Sequence, residues 1–183
     1  MDSELTSDLQ LTLRAFSFAA RVHRTQTLPD GATPYYAHVT RVTWILRHLF
    51  DVRDTATLVA AILHDVLEDT AVTEAELAAE FGEQVAGWVA NLSKKQDLPE
   101  QDQESDYAKR LASAPERVCL VKLADAYDNL SSRRGTAKLP KTLRNVRRYV
   151  DAVSGQITSG AGREALGHVR QLMREVEAEG PES

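Results

Sequence analysis

The chain has 183 residues and a formal net charge of −5, with 43% hydrophobic and 27% charged residues. That balance belongs to one soluble globular domain and excludes a disordered or fibrous chain. Cys119 alone excludes an internal disulfide framework, the longest clean apolar run (58–63) is far short of the ~20 residues that span a bilayer, and the acidic start Met-Asp-Ser-Glu lacks the regions of a secretory signal, so a cytoplasmic protein with no membrane partner is expected.

The pattern is helix after helix, with no convincing strand: an all-α fold. Leu9, Leu13, Phe16 and Ala20 share one stripe of a first helix ending near Arg24. Residues 28–37 are turn-rich and form a loop. A second helix places Val39, Val42, Ile45, Leu46 and Leu49 at core spacing, and a third, about 54–68, is apolar nearly all round. Thr73 and Glu76 form a capping box opening a short helix that ends at Gly82. Val85, Trp88, Val89 and Leu92 mark another helix, and the polar stretch 93–106 after it is a candidate mobile loop or lid.

Pro115 suits a first helical position, followed by Cys119, Leu123, Tyr127 and Leu130 on one face. Leu143, Val146, Val150, Val153 and Ile157 line up after Pro140. Residues 159–162 break the chain before a last helix with Leu166, Val169, Met173 and Val176, and the tail from Gly180 is expected to fray. Residues 1–158 are the expected domain, with 159–183 a linker and C-terminal helix on or extending it.

Charge is unevenly spread. Residues 51–108 carry 14 acidic and 3 basic side chains, and residues 109–148 carry 11 basic and 3 acidic. The overall acidity argues against DNA or RNA binding, while the two blocks can supply carboxylates for a metal and cations for phosphates.

The third helix contains His64, Asp65, Glu68 and Asp69, four ionisable groups whose burial costs several kcal/mol unless paired or bound to a cation. Their spacings of three and four put all four to one side of a continuous helix. Acids at a helix C-terminus oppose the helix dipole, so stability does not account for them. The pattern His-Asp-x-x-Glu is not the His-Glu-x-x-His of zinc proteases. His38 follows the loop, and Asp125, with Asn129 four residues on, sits among apolar neighbours. Two imidazoles and two carboxylates suit manganese, iron(II) or zinc, with positions left open for water and substrate.

The order His38, His64-Asp65, Asp125 resembles the HD phosphohydrolase superfamily. The surrounding residues look like its alarmone hydrolase branch, that of the Rel/SpoT enzymes and the metazoan SpoT homologue. The segments carrying this are Phe18-Ala19-Ala20-Arg21-Val22-His23-Arg24-Thr25-Gln26, residues 31–38, residues 61–70 with His64-Asp65-Val66-Leu67-Glu68-Asp69-Thr70, Phe81-Gly82 before Trp88, and Val121-Lys122-Leu123-Ala124-Asp125 with Asn129.

The resemblance implies a compact helical fold holding one manganese ion through His38, His64, Asp65 and Asp125. It further implies that Glu68 and Asp69 serve the attacking water, and that pyrophosphate is removed from the 3′ position of ppGpp or pppGpp. Arg21 and Asn129 match nucleotide contacts. Tyr149 aligns with a tyrosine near the substrate, and equally fits a core-edge aromatic. Lys122 is read as paired with an acid one turn away, His23 as a buried supporting histidine, and His48 and His168 as surface residues.

The chain departs from the family at Val22, Val39 and Ser131, which puts recognition of guanosine and its phosphates in question rather than the metal and water machinery. The same chemistry on ppApp, the NADPH 2′-phosphate or a nucleoside phosphate is the alternative, and a non-catalytic nucleotide sensor is a third reading. Oligomeric state is not legible in the sequence.

Overall fold

A computed structural model describes residues 3–179. Its helices are α1 (Ser3–Val22), α2 (Tyr36–Trp44), α3 (Thr55–Leu63), α4 (Val66–Asp69), α5 (Glu74–Phe81), α6 (Glu83–Leu92), α7 (Glu100–Leu111), α8 (Glu116–Ser132), α9 (Leu139–Ser154) and α10 (Gly160–Glu179). A π-helical turn, Ile45–Leu49, prolongs α2. The only extended pairing among the described residues is an isolated bridge between Thr27 and Pro34, so the all-α expectation holds. The expected fraying from Gly180 lies outside the described residues.

Two apolar clusters build the interior. One gathers α8, α9 and α10 around Val121, Leu123, Val150 and Val169, and the other gathers α1, α3, α5 and α6 around Ala19, Ile62, Leu77 and Val89. Helices α2 and α3 belong to both: Val39 faces one cluster and Val42 the other, and Ile62 and Ala61 divide in the same way. The seam between the clusters is therefore lined by α2, the end of α3 and α8. Polar groups placed on that seam are held by two packed bodies at once.

The capping box at Thr73 and Glu76 is present as expected. Pro115 stands one residue before α8, where its carbonyl accepts from the N–H groups of Val118 and Cys119. Where α10 begins, Glu116 accepts hydrogen bonds from Ser159 N–H (3.1 Å) and the Thr158 hydroxyl (2.9 Å). A Cβ at Gly162 would crowd the Glu116 carboxylate, so a larger residue there would displace that side chain from its bonds to Thr158 and Ser159.

The structure departs from the sequence pattern in four places. In α1 the expected stripe is rotated: Leu9 and Leu13 are 58% and 54% exposed, while Ala15 and Ala19 are buried. Small residues four apart let α1 approach α3 closely, and Phe16 and Phe18 flank that contact edge-on to Tyr36 and Phe81.

The third helix is not continuous to 68. It stops at Leu63 because the Ala61 carbonyl, which would accept from the N–H of Asp65, accepts from the His64 ring at 2.7 Å. The expected lid at 93–106 is half helix: α7 packs on α9, with Tyr107 buried against the Tyr149 ring. Only residues 93–99 remain loop. His168 is half-buried, its ring stacked near Phe50, rather than a surface residue, whereas His48 is exposed as expected and lies on Trp44.

Candidate metal centre and active site

The seam brings together the four residues that the sequence separates by up to 87 positions. His38 comes from α2, His64 and Asp65 from the break after α3, and Asp125 from the middle of α8. His38 Nε2 lies 3.3 Å from His64 Nε2, 3.6 Å from Asp65 Oδ2 and 3.2 Å from Asp125 Oδ1. His64 Nε2 is 2.9 Å from Asp65 Oδ2 and 3.9 Å from Asp125 Oδ1. Donor atoms bound at ~2.1 Å to one ion lie roughly 3.0–3.4 Å apart in octahedral or tetrahedral geometry. His38, His64 and Asp65 present donors within 4.8 Å of one another and could hold a single metal ion, and Asp125 Oδ1 lies close to both imidazoles of that group.

The tautomers agree with that fit. His64 Nδ1–H donates to the Ala61 carbonyl and His38 Nδ1–H to Asp128 Oδ2, both at 2.7 Å. Both bare Nε2 lone pairs therefore face the same point, and two buried lone pairs at 3.3 Å repel unless a cation lies between them. Burial alone would depress both imidazoles, yet the surrounding carboxylates raise them above the usual histidine value. Burial would raise Asp65 and Asp125, and the neighbouring positive groups instead hold both carboxylates below their usual range.

Three supporting residues lie outside the set expected from the sequence. The Tyr35 hydroxyl donates to Asp65 Oδ2. Asp128, 3% exposed, receives His38 Nδ1–H on one oxygen and is gripped by Arg41 through Nε at 2.6 Å and a second nitrogen at 3.0 Å. The signal was present: Arg41 stands three residues after His38, and Asp128 three after Asp125, each pair on one helix face. Asp128 raises the basicity of His38 and fixes its ring, and such partners are worth about 10–100-fold in metal affinity. Asp128→Asn is expected to weaken metal binding by about that factor, read by titration with a competing chelator. Unchanged affinity would remove Asp128 from the support of the site.

Glu68 and Asp69 lie beside the quartet. Glu68 Oε2 accepts from the Lys94 backbone N–H at 2.8 Å, and burial raises its carboxyl above the usual range. Asp69 is raised by burial and by the charge of Asp65, and its backbone carbonyl accepts from Gln26. Gln26 in turn meets His23 Nδ1 at 2.7 Å, so His23 is buried and supporting as expected. Lys122 donates to Asp125 Oδ2 at 2.7 Å, which is the pairing read from sequence. Its ammonium also sits 4.4 Å from the Tyr149 ring centroid.

His38, Asp65, Glu68, Asp69, Lys122 and Asp125 line a cleft of about 1280 Å³ that also includes Asn129 and Tyr149. Asn129 donates to Asp125 Oδ1. Tyr149 is buried at the cleft edge, its hydroxyl donating to Glu104 at 2.7 Å. Arg21 is not brought to the cleft lining: it stays exposed at the end of α1, 5.6 Å from the Phe18 ring centroid.

An HD domain family model matches residues 15–153. The chain belongs to the HD domain family. Within it, the chain is 37% identical over 127 residues to the Xenopus tropicalis guanosine-3′,5′-bis(diphosphate) 3′-pyrophosphohydrolase MESH1, covering 69% of this chain and 71% of that one. The Homo sapiens protein of the same name is 37% identical over 125 residues, 68% of this chain and 70% of that one.

A solved structure described as a metazoan ortholog of SpoT that hydrolyses ppGpp superposes with a TM-score of 0.77 at 29% identity, covering 88% of this chain and 94% of the other. As an HD-family member with this donor set, the chain is a metal-dependent hydrolase. No helix among the described residues is long and apolar enough to cross a membrane.

Proposed function

We propose that this HD-family chain is a manganese-dependent alarmone hydrolase, removing pyrophosphate from the 3′ position of ppGpp or pppGpp to give GDP or GTP. The observation that supports it best is that His38, Asp65 and Asp125, with His64 packed against His38, meet Glu68 and Asp69 in one cleft. A bound divalent metal would lower the pKa of water and offset charge growing on phosphoryl oxygens.

The chain's own groups supply the rest. Glu68, fixed by the Lys94 N–H and raised by burial, accepts a proton from the attacking water. Asp69, one residue on and raised by burial, gives its own carboxyl proton to the departing 3′ oxygen and is reprotonated from solvent before the next turnover. Tyr35 and Asn129 hold the carboxylates of Asp65 and Asp125 in place, and Tyr149 borders the nucleotide. Arg21 would contact the nucleotide only from outside the cleft lining described above.

The test is product release from ppGpp by metal-stripped protein with and without added manganese, with His64→Ala as control. GDP and pyrophosphate appearing only with manganese and an intact His64 is the expected result. No turnover at an occupied metal site would overturn the alarmone reading. One wall of the cleft, Thr27, Leu28 and Pro29, offers a nucleobase a single side-chain hydroxyl. For that reason ppApp and NADPH belong in the same assay.

A further inference from the structure

The basic block of residues 109–148 is only partly paired with carboxylates. Three of its outward-facing members are neutralised: Arg134 pairs with Glu175 at 3.0 Å, Arg147 with Glu177, and Arg148 with Glu104 at 3.5 Å. Of those facing the cleft, Lys122 is paired and three are not. Six cationic residues line the cleft. Arg41 is spent on Asp128, Lys94 on Glu104 at 3.1 Å, and Lys122 on Asp125. The other three, Arg133, Lys138 and Lys141, meet no carboxylate among the described residues, and Arg133 has only a 3.5 Å contact with the Asn129 side chain.

All three come from the end of α8, the turn through Gly135 and the start of α9, so they form one wall beside Asn129. The facing wall, Thr27 to Asp30, carries no cation, and its Asp30 carboxylate is already bonded to Thr33 and Ala32. Unpaired cations held together beside a polar cleft repel one another, a cost removed when a polyanion enters.

The structure assigns Arg133, Lys138 and Lys141 as a seat for a second polyphosphate group, the 5′-di- or triphosphate of a nucleotide whose other phosphorylated position lies at the metal centre. The orientation follows from charge alone. The polyphosphate lies along the α8–α9 wall, and the nucleoside faces the cation-free loop at 27–30. This deepens the alarmone reading and relies on it only for which substrate occupies the metal centre. The consequence is that affinity rises with each 5′-phosphate.

The test separates binding from turnover. Calorimetry on the metal-loaded protein compares guanosine, GMP, GDP and GTP, none of which carries a 3′-phosphate. Wild-type protein is expected to bind more tightly with each added phosphate. The Lys138→Glu/Lys141→Glu variant, altered at two exposed side chains, is expected to flatten that trend and weaken GTP by about tenfold or more. Arg134→Ala/Arg147→Ala, which removes two paired cations of the same block, is expected to leave the trend intact.

An unchanged trend in the lysine variant, equal loss in the arginine variant, or no GTP binding by the wild-type protein would overturn the assignment. If ppGpp is not turned over while GTP binding follows the lysines, the alarmone reading fails and the seat stands.

Discussion

Asp125→Asn is expected to strip the protein of metal and abolish turnover together, a loss of at least about a thousandfold in kcat when a metal supplies both water activation and charge neutralisation. Metal content by mass spectrometry and product release on the same sample check it. The asparagine variant is the milder one, because its side-chain oxygen can still accept the Lys122 hydrogen bond, although both asparagine and alanine remove the compensating charge. Asp125 also neutralises the Lys122 ammonium at 2.7 Å, and orphaning a charge in so enclosed a position costs roughly 3–5 kcal/mol.

Asp125→Ala in a Lys122→Met background removes that complication, and it too should hold no metal. A stoichiometric metal content in either variant would take Asp125 out of the ligand set. The histidines add a pH dependence. The carboxylates raise both imidazoles above the usual value in the metal-free protein. Protons therefore compete with metal from a higher pH than an ordinary histidine would allow, and occupancy should fall as pH drops through that range.

The chemistry was legible in the sequence because its residue types are costly anywhere else. His64, Asp65, Glu68 and Asp69 inside an apolar segment announce a site whatever the fold, and the capping box and the glycine-rich start of α10 are local signals that tertiary packing did not override. What the sequence hid were relations between elements.

Periodicity alone favoured Leu9 and Leu13 as the inner face of α1, because a hydrophobic stripe does not reveal that α3 accepts only the small side chains of Ala15 and Ala19. The break at His64 is invisible to helix propensity, since it arises from an imidazole competing for a backbone carbonyl. That break aims His64 and Asp65 at α2 and α8, where an uninterrupted helix would have carried the same residues along its own axis. The pairing of Asp128 with Arg41 follows only once α2 and α8 are placed against each other. The polar composition of α7 suggested a lid, but Tyr107 and Arg110 pin it to the body, Arg110 bonding the Ala90 and Ser93 carbonyls.

Glu68→Gln is expected to keep the metal and lose turnover by about a hundred- to ten-thousandfold, the range a positioned proton acceptor contributes. Glutamine preserves the geometry, since its carbonyl can accept the Lys94 N–H as the carboxylate does. What it removes is basicity alone, so a merely structural Glu68 predicts near-normal rates. The wild-type pH profile gives a second readout. Burial raises the Glu68 carboxyl, and only its deprotonated form takes a proton from water, so activity should decline with acid from a higher pH than an ordinary glutamate would give.

Stability runs the opposite way. A carboxyl raised on folding favours the protonated chain, so at neutral pH the native state bears the burial of a charge that the unfolded state leaves in water. Metal-free Glu68→Gln should then melt slightly above the metal-free wild type at neutral pH, with the gap closing as acid protonates the native glutamate. A variant that is stable, metal-loaded and inactive separates catalysis from folding. Wild-type turnover in Glu68→Gln would move the proton acceptor to Asp69.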